Sequence, residues 1–225
     1  MASTLRSVAP GLRGRQKQDR AQRILKAARL LFDRNGYGAT AMEEVADQAG
    51  LAVGTIYNYF PSKNDLLVAI MKREAERLSA IAGQILARPD PQPFKAISQM
   101  AELFVDSITA EERPLWREVF AAAITQPDTL GQRLFELDAR LITQITALIE
   151  KFRRLGVLAA DVESQRAATL VYALCLTWGM AFIMSDQMDQ DLMRREIRKG
   201  LEIIMRGMLP RVSAQAARAA KESRQ

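Results

Sequence analysis

The chain of 225 residues contains no histidine and a single cysteine, Cys175. Histidine is the commonest general base and the commonest zinc ligand near neutral pH, so its absence removes the usual routes to both chemistries. One cysteine excludes an internal disulfide and any cysteine cluster for a metal. Set inside an apolar run, Cys175 reads as a buried structural thiol. Aromatic residues make up only 6% of the chain, and alternating β-branched runs are scarce. The sequence also lacks a glycine-rich phosphate loop, a Ser/His/Asp or Cys/His set, and any metal-ligand spacing. The paired acids Glu111 and Glu112 stand where a helix begins, a place that the helix dipole explains. The chain is therefore expected not to be an enzyme and to hold neither metal nor cofactor.

The apolar fraction of 48% and the charged fraction of 26% suit a soluble globular protein with a sizeable core. Its apolar residues recur at helical spacing, which predicts an all-α fold. Helices are expected over residues 16–35, 42–49, 52–58, 62–86, 94–109, 112–125, 127–155, 162–185 and 189–209. The stretch Pro89-Asp90-Pro91-Gln92-Pro93 forms a stiff loop after the fourth. The net charge of +6 is unevenly placed. Residues 1–75 hold 12 Lys and Arg against 7 Asp and Glu, whereas residues 76–225 hold 20 against 19. A local positive surplus attracts polyphosphate over long range. The first 20 residues are basic and lack the apolar centre of a secretion signal, so a cytoplasmic location is expected, with a mitochondrial transit peptide as a lesser alternative.

The stretch from Thr40 to Leu67, TAMEEVADQAGLAVGTIYNYFPSKNDLL, carries the most information. Thr40-x-x-Glu43 reads as a capping box opening a helix whose inner face is Val45, Ala46 and Ala49. Gly50 provides a left-handed turn, and Ile56 on the next helix packs back against Ala46. A small residue, a turning glycine and a β-branched anchor at this spacing specify a helix-turn-helix, whose second helix enters a DNA major groove. That helix, LAVGTIYNYF from Leu51 to Phe60, has no charged residue. With Ile56 inward, Val53, Thr55, Tyr57 and Asn58 are the candidate base readers. An asparagine amide pairs with adenine, and a threonine methyl meets a thymine methyl. Gly54 leaves room for close backbone approach, and Phe60 reads as a core aromatic. Phosphate contacts are assigned to Thr40 with the start of its helix, to Tyr59, and to Lys63. Arg13, Arg15 and Lys17 form an arm able to reach the flanking minor groove.

Several segments resemble the DNA-binding region of the tetracycline-repressor (TetR) family. They are Ile24 to Phe32 (ILKAARLLF), Gly36-Tyr37-x-Ala39-Thr40, Ala49-Gly50-Leu51, and Gly54 to Phe60 (GTIYNYF) followed by Ser62-Lys63. The resemblance covers about residues 16–67. It implies a homodimeric transcription factor, usually a repressor, that leaves double-stranded DNA when a small molecule binds its larger domain. By motif position it gives Thr40, Tyr59 and Lys63 to phosphate and Thr55, Tyr57 and Asn58 to the base-reading surface.

The expected organisation is a flexible basic arm (residues 1–15), a helix-turn-helix head (16–67), an effector-binding and dimerisation domain (68–209) and a tail (210–225). Dimerisation is expected through the last two long helices, since two heads on a twofold axis read a palindrome. Met100, Phe104, Trp116, Phe120, Trp178 and Phe182 are candidate linings of an apolar effector pocket. Residues 167–184 carry no charge and approach bilayer-spanning length. Thr169, Tyr172, Thr177 and Gly179 within them, and the amphipathic helix that follows, favour burial between subunits over a membrane anchor. The competing reading from another class is an all-helical carrier or enzyme whose helix-turn-helix is only structural.

Overall fold

A computed structural model describes residues 12–109 and 113–210, and the side chains of all of these but Leu12 and Arg13. Arm residues 1–11, tail residues 211–225 and the acids Glu111 and Glu112 lie outside the described residues. Nine α-helices account for most of the rest, and no strand occurs among the described residues. They are α1 (Leu12–Asn35), α2 (Met42–Ala49), α3 (Val53–Tyr59), α4 (Lys63–Ala87), α5 (Pro93–Thr109), α6 (Arg113–Thr125), α7 (Gln132–Arg154), α8 (Ser164–Met184) and α9 (Gln190–Met208). The all-α expectation holds.

Boundaries differ where local chemistry differs. Helix α1 begins at Leu12 rather than residue 16, so Arg13, Arg15 and Lys17 extend a helix and are not part of a loose arm. The stretch expected as one helix over 127–155 is divided. Residues Pro127–Gly131 form a wide π-helical turn in which the Gly131 N–H reaches the Gln126 carbonyl at 3.1 Å, and α7 starts only after it. Ser62 caps α4 as expected, its hydroxyl accepting from the Asp65 N–H at 3.2 Å. Asp189 caps α9 by accepting from the Leu192 N–H at 2.6 Å.

Two apolar cores result. The first joins Ile24, Ala28 and Phe32 of α1 to Val45 and Ala46 of α2, Ile56 of α3, and Leu66 and Leu67 of α4. It continues beyond the head into Leu115 and Val119 of α6 and Leu130 of the π turn. The second core is built from α5, α7, α8 and α9 around Ile97, Met100, Leu148, Ile149, Val171 and Met193. Trp116 packs against both. Truncating a fully buried member such as Ile56 costs about 2–5 kcal/mol, transfer and cavity terms together.

Helix α8 is long and apolar enough, by length and composition, to cross a membrane. In the fold it packs against α5, α6, α7 and α9, with Ala168, Val171, Cys175, Phe182 and Ile183 buried. Burial pushes the Cys175 thiol up to about 12, which suits an inert packing residue. The opposite side of α8 leaves Leu170 and Met184 exposed, and α9 leaves Ile203 exposed beside it.

Candidate nucleic-acid interface and the cavity behind it

The head realises the expected spacing. Ala46 and Ile56 are fully buried, and Gly50 adopts φ 63°, ψ 45°, the left-handed conformation that a side chain disfavours. The Gly50 N–H bonds the Asp47 carbonyl at 3.0 Å and the Leu51 N–H bonds the Ala46 carbonyl at 3.0 Å, which closes α2. Arg23 adds a tie that sequence reading missed, because its face of α1 looked free. Its guanidinium donates to the Ala49 carbonyl at 2.6 Å and fixes α1 against the turn.

Only half of the expected capping box forms, and it lies one residue later. Ala41 is the N-cap of α2, and its N–H donates to Glu44 Oε2 at 2.8 Å; Glu43 has no such role. Thr40 is only 2% exposed, and its hydroxyl donates to the Gly36 carbonyl at 2.8 Å. In the free protein Thr40 therefore ties α2 to the end of α1, with its side chain turned away from any phosphate. Lys63 donates to the carbonyls of Tyr37, Gly38 and Thr40 at 2.7, 2.8 and 3.0 Å, and stands 4.7 Å from the Tyr37 ring centroid. Its charge lies at the mouth of α2 while its three donors hold the α1–α2 turn.

On α3 the exposed positions are Gly54, Tyr57 and Asn58, with the N-cap Ala52 beside them. Val53 and Thr55 are half-buried, and Val53, Tyr59 and Phe60 lean on the head's core. The base-reading set is thus brought to one helix, with Tyr57 and Asn58 most open and Val53 partly withdrawn into packing. Apart from its chain neighbours and its own helix backbone, no atom of the described residues lies within 4 Å of where a Gly54 side chain would begin. Arg15 and Lys17 are exposed on α1.

Behind the head, three polar contacts join it to the larger body. The Gly38 N–H donates to Glu118 Oε2 of α6 at 2.5 Å. Asn64 donates to Gln126 Oε1 at 2.6 Å, and Arg133 pairs with Asp65 at 2.8 Å. The Ser62 hydroxyl, then Arg133, hold the Asp65 carboxyl below the usual carboxylate range. Burial, then the nearby charges of Glu118 and Asp65, push the Tyr37 hydroxyl up to about 12. That hydroxyl donates to Asn64 and extends the same network. The partners in the three head-to-body contacts are 60 or more residues apart in sequence, so periodicity alone cannot reveal them.

The other face of α6 lines a cavity of about 130 Å³ between α4, α5, α6 and α7. Of the six aromatic and methionine candidates, Phe104, Trp116 and Phe120 line it. Met100, Trp178 and Phe182 do not. Met100 is fully buried in the second core, Trp178 packs against that core, and Phe182 lies under the Arg113 guanidinium at 4.0 Å. Sequence reading missed the polar lining residues, Asp138 and Gln144 among them. Burial raises the Asp138 carboxyl, partly offset by the Tyr172 hydroxyl, which donates to it at 2.5 Å. The only signal available was an acid beside Leu137 and Leu141 on an otherwise apolar helix face.

A helix-turn-helix head with an open second helix, packed on a larger helical body, has the geometry that sets one helix into a DNA groove. Residues 24–70 match the family model of bacterial regulatory proteins, tetR family. The HTH-type transcriptional repressor KstR of Rhodococcus jostii is 34% identical over 137 residues, covering 56% of this chain and 61% of the relative. The match therefore spans less than two thirds of that relative's length. The HTH-type transcriptional regulator UidR of Escherichia coli K12 is 27% identical over 199 residues, covering 86% of this chain and 95% of the relative. The crystal structure of a TetR-family regulator from Mesorhizobium loti superposes with a TM-score of 0.71 at 20% identity, covering 87% of this chain and 99% of that one. The chain thus carries a head that matches the tetR family over residues 24–70 and resembles TetR-family regulators in its overall fold.

Proposed function

We propose that this protein is a transcriptional regulator, a homodimeric repressor that binds a palindromic operator and is released by a small apolar effector. The observation that carries this reading is the open face of α3: Gly54, Tyr57 and Asn58 project outward from a helix anchored by the buried Ile56. A purely structural helix-turn-helix would cover that face. Residues 16–67 form the DNA-binding head, residues 68–209 the effector and dimerisation body, and the protein acts in the cytoplasm.

Tyr57 and Asn58 read bases, Val53 and Thr55 add apolar contact, and Tyr59, Lys63 and the start of α2 at Thr40 face the phosphates. For Thr40 the donor is the helix terminus, since its hydroxyl points inward. Arg13, Arg15 and Lys17 add positive charge towards a neighbouring groove. The dimer forms through α8 and α9, whose Leu170, Met184 and Ile203 are 59%, 66% and 70% exposed. Exposed apolar side chains on two adjacent helices favour an intersubunit four-helix bundle.

The effector cavity and the head share α6. Trp116, Val119 and Phe120 face the cavity while Glu118, one residue away, holds the Gly38 N–H. A ligand that prefers a displaced α6 thereby biases the head's orientation, and its differential affinity for the two orientations sets the loss of DNA affinity. Selection of bound duplexes from a random pool tests the reading. Enrichment of a two-half palindrome supports it, and retention without sequence preference refutes it.

A further inference from the structure

The polar atoms around the cavity are unevenly committed. The Trp116 indole N–H donates to the Ile108 carbonyl at 2.9 Å, and the Ser107 hydroxyl donates to the Phe104 carbonyl at 2.7 Å. The Tyr172 hydroxyl donates to Asp138 Oδ2 at 2.5 Å, and the Gln144 amide donates to the Ser79 carbonyl at 2.8 Å. Among the buried side-chain atoms of the lining, the one left without a partner is an acceptor. Gln144 Oε1 is buried and accepts from no group among the described residues, and the Ser79 carbonyl fixes which end of the amide it is. Asp138 receives only the Tyr172 hydroxyl and forms no ion pair among the described residues. The other lining acid, Glu74, is chelated by Arg77 at 2.6 Å, and Arg140 is at the exposed rim. A carboxylate facing an apolar space with no cation bonded to it, beside an orphaned carbonyl, is costly until a donor arrives.

We infer that the cavity takes an apolar molecule carrying a protonated amine. Its ammonium group is held by Asp138 and Gln144, and its body lies against Phe104, Trp116 and Phe120. An ammonium provides several N–H donors and the missing positive charge at once, whereas an alcohol provides one neutral donor and a carboxylate adds a second negative charge. The aromatic walls add attraction for a cation near their faces. This inference rests on the cavity being the effector site, and it narrows the effector from any apolar molecule to lipophilic amines.

The test uses three probes with one body: 1-adamantanemethylamine, 1-adamantanemethanol and 1-adamantanecarboxylic acid, titrated calorimetrically into the full-length protein and into Asp138→Asn. The amine is expected to bind the unaltered protein about tenfold or more tighter than the alcohol, as a charge-assisted hydrogen bond in a dry site supplies. In Asp138→Asn that advantage should vanish while the alcohol's affinity stays within about twofold, showing that the cavity survives. An amine no tighter than the alcohol, or an acid that binds tightest, overturns the amine inference and leaves the effector cavity standing. No binding by any of the three refutes the cavity as a site for compact apolar molecules, and this inference with it.

Discussion

Gly54→Leu should move stability and DNA affinity in opposite directions. Position 54 lies inside α3, is exposed, and has open space where a side chain would begin. Glycine in a helix interior is about 0.5–1 kcal/mol less favourable than a good helix former, so leucine should stabilise the fold by roughly that amount. For a protein of this size that corresponds to a rise in melting temperature of about 1–4 °C. On DNA the same side chain occupies the gap between helix backbone and groove wall. Forcing methylenes into a closely packed contact costs about 1–3 kcal/mol, or roughly 5- to 150-fold in affinity. Circular-dichroism melting measures the first effect, and fluorescence anisotropy with a selected duplex measures the second. Leucine is uncharged, so the loss is steric and should persist across salt concentrations. An unchanged or improved affinity in a variant with a raised melting temperature would show that α3 does not approach the duplex along this face.

Other expectations follow from named contacts. Asn58→Ala should weaken the matched operator by about 1–3 kcal/mol and relax preference at one base pair, read by competition between duplexes. Lys63→Met removes donors from three carbonyls and should lower folding stability by about 1–3 kcal/mol while weakening all duplexes alike, seen in melting and in binding to unrelated sequences. Ile203→Glu and Leu170→Glu place charge on the outer faces of α9 and α8, and should convert a dimer to a monomer by light scattering with helical content retained. Asp65 has a depressed folded pKa, so its stabilising contribution is complete above the unfolded value of about 4 and is lost as pH falls through the folded one. Asp65→Asn should accordingly flatten that part of the acid unfolding profile.

Local signals in the sequence were read well where their causes are local. The spacing of Ala46, Gly50 and Ile56, the Ser62 cap and the stripe of α9 each act within a few residues, and the structure shows each one. The capping box is reduced to the Glu44 carboxylate on the Ala41 N–H because the carbonyls of Gly36 and Leu31 draw the Thr40 hydroxyl inward. The π turn at Pro127–Gly131 escaped notice because apolar periodicity runs through it unbroken. The cavity was half legible. Large aromatics mark apolar interiors, but which of them border empty space depends on how α4, α5, α6 and α7 diverge. Asp138 became visible only when Tyr172, 34 residues away, was placed against it.

The central claim is that the outer face of α3 touches base edges. Replacing Tyr57, 44% exposed, by a photoreactive aromatic residue and irradiating the bound duplex tests it most directly. The account predicts a covalent adduct to a base within each half-site, with the same label at position 203 joining two protein chains and no DNA. A duplex that binds yet yields no adduct from position 57 would contradict it.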